Sequence, residues 1–133
     1  MREIKFRGKR LDNGEWVYGD YHRRAGGVHC IIAMEPDEQG KVCYVVNQVD
    51  PKTVGQYTGL LDKNGKEIYE VDIVSMSYAS FETTVVIKFS IEYRRGLFAC
   101  VGDEGVYALR DCNGVADIEV IGNIHDSPEL LKP

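Results

Sequence analysis

Long hydrophobic runs are missing from this chain. Across 133 residues no apolar stretch exceeds about five, far short of the ~20 that a membrane-spanning helix needs. The start, Met1-Arg2-Glu3-Ile4-Lys5-Phe6-Arg7, alternates charge with bulk and lacks the apolar segment of a secretion signal. A cytoplasmic location without membrane contact is the expectation. Cysteine is scarce and unpatterned. Cys30, Cys43, Cys100 and Cys112 form no C-x-x-C pair, so neither a zinc site nor a disulfide framework is indicated. Each adjoins apolar residues, which reads as reduced, mostly buried thiols. His22, His29 and His125 stand apart in sequence. His29 and Cys30 are neighbours, so on a strand they point to opposite faces and do not form a nucleophile–base pair. The chain has no nucleophile elbow, phosphate-cradling loop or dinucleotide fingerprint. No enzyme, no metal and no cofactor is the resulting expectation.

What is present suits one soluble globular domain, or a small domain with an elaborated N-terminal part. Apolar residues make up 44% and charged residues 28%, enough to bury a core without covalent staples. The net charge of −5 is uneven. Residues 1–24 carry seven Lys/Arg against four Asp/Glu, whereas residues 102–133 carry two against seven. An acidic chain lacks the broad positive field of a non-specific nucleic-acid binder. The basic N-terminal strip keeps that class open as an alternative. Its plainer reading is that Arg2, Lys5, Arg7 and Lys9 line the solvated face of a strand.

Period-two patterning runs through most of the chain and no long stretch has helical period. Residues 2–7 read as a strand with Ile4 and Phe6 on one face, ended or bent by Gly8. Asp12-Asn13-Gly14 is a hairpin signal. Glu15 to Tyr21 follows as a strand that uses Trp16, Tyr18 and Tyr21 for packing. Val28–Met34 and Lys41–Asn47 are further strands, the latter with both faces partly covered. Asp50-Pro51 interrupts, since proline lacks an amide hydrogen. Beyond Asp72, strands are expected at 72–78, 83–89, 92–101, 106–109 and 118–124, with turns every ten residues or so. That spacing suggests a small barrel or sandwich. Ser127-Pro128 opens one helical turn near the end. The fold class expected is mainly β, with N-terminal antiparallel hairpins over residues 1–61 and a C-terminal region over 62–133, the two being readable also as one continuous unit.

The most strongly patterned segment runs from Gln56 to Val74, a hairpin around Asn64-Gly65 that leads into a strand near Asp72. Asp62-Lys63-Asn64-Gly65 invites a calcium reading, but the glycine falls at the fourth position, not the sixth that an EF-hand loop requires. Glu67, Glu70 and Asp72 could do acid–base work only if enclosure raised one of their pKa values. The plainer reading is solvated acids at a turn, with Asp72 holding backbone amides at the strand entrance. Trp16, Tyr18, Tyr21, Tyr57 and Tyr69 could anchor a partner or stack on bases, though at strand spacing such residues are more often core.

Several blocks together resemble the YopX protein family. They are Phe6-Arg7-Gly8-Lys9-Arg10, Asn13-Gly14-Glu15-Trp16-Val17-Tyr18-Gly19, Val54-Gly55-Gln56-Tyr57-Thr58-Gly59-Leu60, Asp62 through Glu70, Asp72-Ile73-Val74, and a closing block from Ile118 to Leu131. The resemblance implies a small protein encoded by phages or prophages, β-rich, with an SH3-barrel-like C-terminal part. It implies no established activity and carries over no catalytic residue. Val71 departs from the glycine usual there, which makes a left-handed turn at that position unexpected. The functional expectation is a non-enzymatic module that binds a protein partner or a second copy of itself, the alternative being a nucleic-acid-binding accessory protein. The candidate interaction residues are Arg7, Arg10, Trp16, Tyr18, Gln56, Tyr57 and Thr58.

Overall fold

The structure is a computed structural model that describes residues 1–131. The chain forms two compact units, which part between Tyr57 and Thr58. Among the described residues no helix is long and apolar enough to cross a membrane. The protein is mainly β, built from antiparallel sheets with little helix.

The first unit is a sheet of β1 (Phe6–Lys9), β2 (Trp16–Arg24), β3 (Val28–Pro36), β4 (Val42–Gln48) and the opening residues of β5 (Gly55–Leu61), in the order β4-β3-β2-β1-β5. The hairpin expected at Asn13-Gly14 joins β1 to β2. Its turn is closed by the Gly14 amide on the Arg10 carbonyl at 2.9 Å and by the Glu15 amide on Asn13 Oδ1 at 2.9 Å. Between β4 and β5, Asp50-Pro51 does interrupt the strands, but as a cap. Asp50 Oδ1 accepts the Lys52 amide at 3.0 Å and Pro51 starts a single 3-10 turn, where a missing amide hydrogen costs nothing. One face of the sheet buries Val17, Ile31, Ala33 and Val49, with Phe6, Tyr21 and Val54 packed around them.

Three local expectations are corrected here. The first strand begins at Phe6, and Ile4 is exposed. Gly8 does not end that strand, which runs on to Lys9. A Cβ on Gly8 would lie 3.1 Å from that of Val49, so the missing side chain admits Val49 to the core. The fourth strand is not covered on both faces: Val42, Cys43, Tyr44 and Val46 are all exposed. It is the sheet's edge strand, which alternation alone does not reveal.

The second unit opens with the rest of β5, which turns back into β6 (Glu67–Tyr69). Five strands follow: β7 (Asp72–Ser80), β8 (Thr83–Arg94), β9 (Leu97–Gly102), β10 (Gly105–Ala108) and β11 (Asp117–Asn123), in the order β10-β9-β8-β7-β11. The order is linear, and among the described residues no pairing joins β10 to β11 into a closed barrel. The apolar stretch 92–101 is two strands. Arg94 pairs with Leu97 across a two-residue turn in which Arg95 and Gly96 take φ values of 51° and 81°, the conformation that tight hairpins require. A short helix, α1 (Leu109–Cys112), follows β10 and plants Leu109 fully in the core. That core includes Ile68, Val74, Phe89, Ile91, Cys100 and Ile118. The closing helical turn appears as a 3-10 turn at Pro128–Leu131.

Candidate functional site

Alternation places Lys5, Arg7 and Lys9 on one side of the N-terminal chain, and the β1–β2 register sets Arg7 opposite Tyr18 and Lys9 opposite Trp16. The cations use the aromatic rings. The Arg7 guanidinium lies 4.6 Å from the centre of the Trp16 ring and Lys9 Nζ lies 5.4 Å from it. Lys5 Nζ stands 5.5 Å from the Tyr57 ring and 3.3 Å from Glu3 Oε1. Each cation meets the electron-rich face of a ring. Arg7 is buried, at 5% exposure, so it does not belong to a solvated strand face.

The other sequence candidates part company. Arg10 is held by Asp12 through Nε to Oδ1 at 3.0 Å and Nη2 to Oδ2 at 2.7 Å. That bond, opposed by desolvation, keeps the Asp12 carboxyl below its ordinary pKa and the Arg10 guanidinium above its own. Gln56 pairs with Phe6 in the β1–β5 register. Tyr57 is buried and its amide donates to the Lys5 carbonyl at 2.8 Å. Thr58 lies in the second unit, where its hydroxyl donates to the Ile68 carbonyl at 2.8 Å and accepts the Leu60 amide at 3.2 Å. Arg7, Trp16 and Tyr18 therefore form one cluster, whereas Arg10 and Thr58 are committed locally.

The acidic residues of the central segment act as turn builders. Asp62 Oδ1 accepts the amides of Asn64 at 2.8 Å and Lys66 at 2.9 Å, and Oδ2 accepts the Val120 amide on β11 at 3.0 Å. Burial pushes the Asp62 carboxyl up, but the amides of Val120, Lys66 and Asn64 outweigh it and hold the pKa below the usual value. Gly65 supplies the turn's left-handed residue, φ 82°. Asp72 is 1% exposed and accepts the Tyr69 amide at 2.7 Å, the amide-holding role expected for it. Between them stands Val71 at φ 63°. The left-handed turn is kept without glycine, pinned by the Val71 amide on the Ile91 carbonyl at 2.7 Å and the Ile124 amide on the Val71 carbonyl at 3.0 Å. Among the described residues no three His, Cys, Asp or Glu side chains gather in a way that could hold a metal ion.

The surface feature that sequence reasoning missed is the β3–β4 edge. In the register Met34 faces Tyr44, Ile32 faces Val46 and Pro36 faces Val42. Their side chains share one face, and Met34, Val42, Tyr44 and Val46 are 66%, 57%, 74% and 46% exposed. The signal available was the complete absence of charge from Val42 to Gln48.

The YopX protein family matches this sequence over residues 5–132. The chain belongs to the YopX family. Two solved structures share its fold. Protein EF1440 from Enterococcus faecalis is 23% identical, with a TM-score of 0.64 over 99% of this chain and 100% of that one. Protein yopX from Bacillus subtilis is also 23% identical, with a TM-score of 0.59 over 100% of this chain and 98% of that one. No functionally curated protein matches. At this identity the two structures speak for the fold alone. The family membership accounts for the ordered blocks at both ends and in the centre of the sequence.

Proposed function

We propose that this YopX-family protein is a non-enzymatic protein-interaction module that takes an extended, uncharged polypeptide segment along the Val42–Val46 stretch of the outer edge of β4, short of Gln48, whose carbonyl already accepts the Leu11 amide. The carrying observation is the exposed apolar row Met34, Val42, Tyr44 and Val46 beside an edge strand. Strand addition of this kind draws affinity from backbone hydrogen bonds and selectivity from alternate side chains. Because residues 42–48 carry no charge, the edge suits a neutral strand with apolar residues at every second position. The setting is the interior of a bacterial cell that carries a phage or prophage, as the family resemblance implies.

The nucleic-acid alternative has less support. Stacking a base on Trp16 competes with Arg7 and Lys9, which already lie against that ring, and Arg10 spends its fork on Asp12. Acid–base catalysis by the central carboxylates also has less support, since Asp62 and Asp72 are engaged with backbone amides.

The test is a photo-reactive aromatic residue at position 44, expressed in the host cell. It is expected to give a cross-linked polypeptide, whereas the same group in place of Phe81, exposed on the β7–β8 turn, gives none. No cross-link at position 44 removes the reading.

A further inference from the structure

The β4 edge is complementary to itself, and this inference rests on the strand-docking reading above by naming its partner. The direction of the backbone groups follows from two bonds. The Gln48 carbonyl points away from β3, to the Leu11 amide at 3.0 Å, while the Val49 amide points toward β3, to the His29 carbonyl at 2.9 Å. Backbone groups alternate along a strand, so the N–H and C=O of Val42, Tyr44 and Val46 also point outward. Tyr44 is the middle one.

We propose that two copies of this chain pair antiparallel through β4 about a two-fold axis at Tyr44. In that register each Tyr44 exchanges two backbone hydrogen bonds with the Tyr44 of the second copy, and Val42 faces Val46 at both ends. The exposed side chains of both strands then fall on one face. Met34, next to Tyr44 in register, extends that face on each side into one apolar strip.

Charge and geometry single out this edge. An antiparallel pair of identical strands is destabilised when like charges face each other, and Val42–Gln48 contains none. The β3–β4 register is unbroken from Cys30↔Gln48 to Pro36↔Val42, so no bulge turns the edge away. Edge strands are normally guarded by charge, bulges or shortness. The other edges are so guarded: β6 has three residues and β10 four, while β11 carries Asp117 and Glu119 and a register shift between Val120 and Gly122. A strand pair of this length belongs with interfaces below about 1,200 Å², which are weak and reversible. The dimer is therefore expected to dissociate on dilution through the micromolar range.

The experiment is sedimentation velocity across that range, with Tyr44→Lys as the comparison. Tyr44 is mostly exposed, so circular dichroism is expected to show an unchanged fold. Facing lysines at the axis are expected to weaken the dimer at least tenfold. The register is tested separately by Val45→Cys. Residues 43 and 45 of opposite copies form a non-hydrogen-bonded pair with Cα atoms about 4.5 Å apart, within disulfide range. Native Cys43 then cross-links to the introduced cysteine under mild oxidation, and adding Cys43→Ser abolishes the bond. A protein that is monomeric at every concentration, or a dimer that Tyr44→Lys leaves intact, overturns the proposal. A position-44 photo-cross-link to a different polypeptide, with the purified protein monomeric, overturns self-pairing but keeps strand docking. The absence of any such cross-link removes both.

Discussion

Asp62 Oδ2 accepts the amide of Val120 at 3.0 Å, across 58 positions of sequence. The same carboxylate holds its own turn through the amides of Asn64 and Lys66. One side chain thus shapes the β5–β6 hairpin and ties it to the last strand of the same unit.

Removing that carboxylate should be costly. Hydrogen bonds to a charged group contribute about 1.5–3 kcal/mol each, and buried amides left unpaired are penalised further. Asp62→Ala is expected to lower stability by about 3 kcal/mol in urea unfolding. The pH dependence has a definite sign. The folded pKa of Asp62 is depressed, so its contribution is complete above the unfolded value of about 3.9 and is lost as pH falls through the folded value. Asp62→Asn is expected to flatten the acid limb of the stability profile and leave its alkaline limb unchanged.

Val71 is a β-branched residue in the left-handed region, φ 63°, a conformation that costs an L-residue about 1–2 kcal/mol. Glycine removes that cost and adds about 0.5–1 kcal/mol of backbone entropy to the unfolded chain. Val71→Gly is expected to stabilise the protein by about 0.5 kcal/mol, and Val71→Pro to prevent folding, since proline is locked at negative φ. Paired thermal melts decide the matter, and a Val71→Gly protein that melts several degrees lower would contradict the account.

Trp16 carries two cations on its ring. A cation–π contact contributes about 0.5–2 kcal/mol depending on burial. Trp16→Ala is expected to cost about 2–3 kcal/mol by chemical denaturation, and Trp16→Phe less than half of that. A double-mutant cycle with Arg7→Met isolates the Arg7–Trp16 coupling, for which a value near zero would show that packing alone holds the ring.

The thiols separate by exposure. Cys30, Cys100 and Cys112 are buried and Cys43 is exposed. Burial, with the neighbouring Cys112, pushes the Cys100 thiol up to about 12, so it stays protonated and unreactive at neutral pH. Native alkylation followed by mass spectrometry is expected to modify Cys43 alone, and all four only after unfolding.

Much of this architecture is legible without coordinates, and the reasons are local. Asn13-Gly14 and Asn64-Gly65 mark turns because glycine can take positive φ. Val28–Met34 reads as a strand because it is a short apolar run that follows Gly26-Gly27, and Asp72–Tyr78 because Val74, Met76 and Tyr78 alternate with polar residues. Asp72 at a strand entrance is legible as an amide holder, since a short carboxylate reaches an amide three residues away. Other features depend on partners far along the chain. Residues 92–101 look like one strand because only the turn geometry at Arg95-Gly96 divides them. Arg7 looks solvated because its charge says so, and its place against Trp16 depends on the register of β1 with β2.

The sequence by itself determined the β class, the turns and the family, because alternation, turn chemistry and short blocks are properties of neighbouring residues. Only the tertiary structure decided that β4 is an edge. Val42, Tyr44 and Val46 carry the same alternating signature as a covered strand. Whether a strand's outward amides meet another strand or solvent depends on sheet order, which is fixed by pairings between residues far apart in the chain.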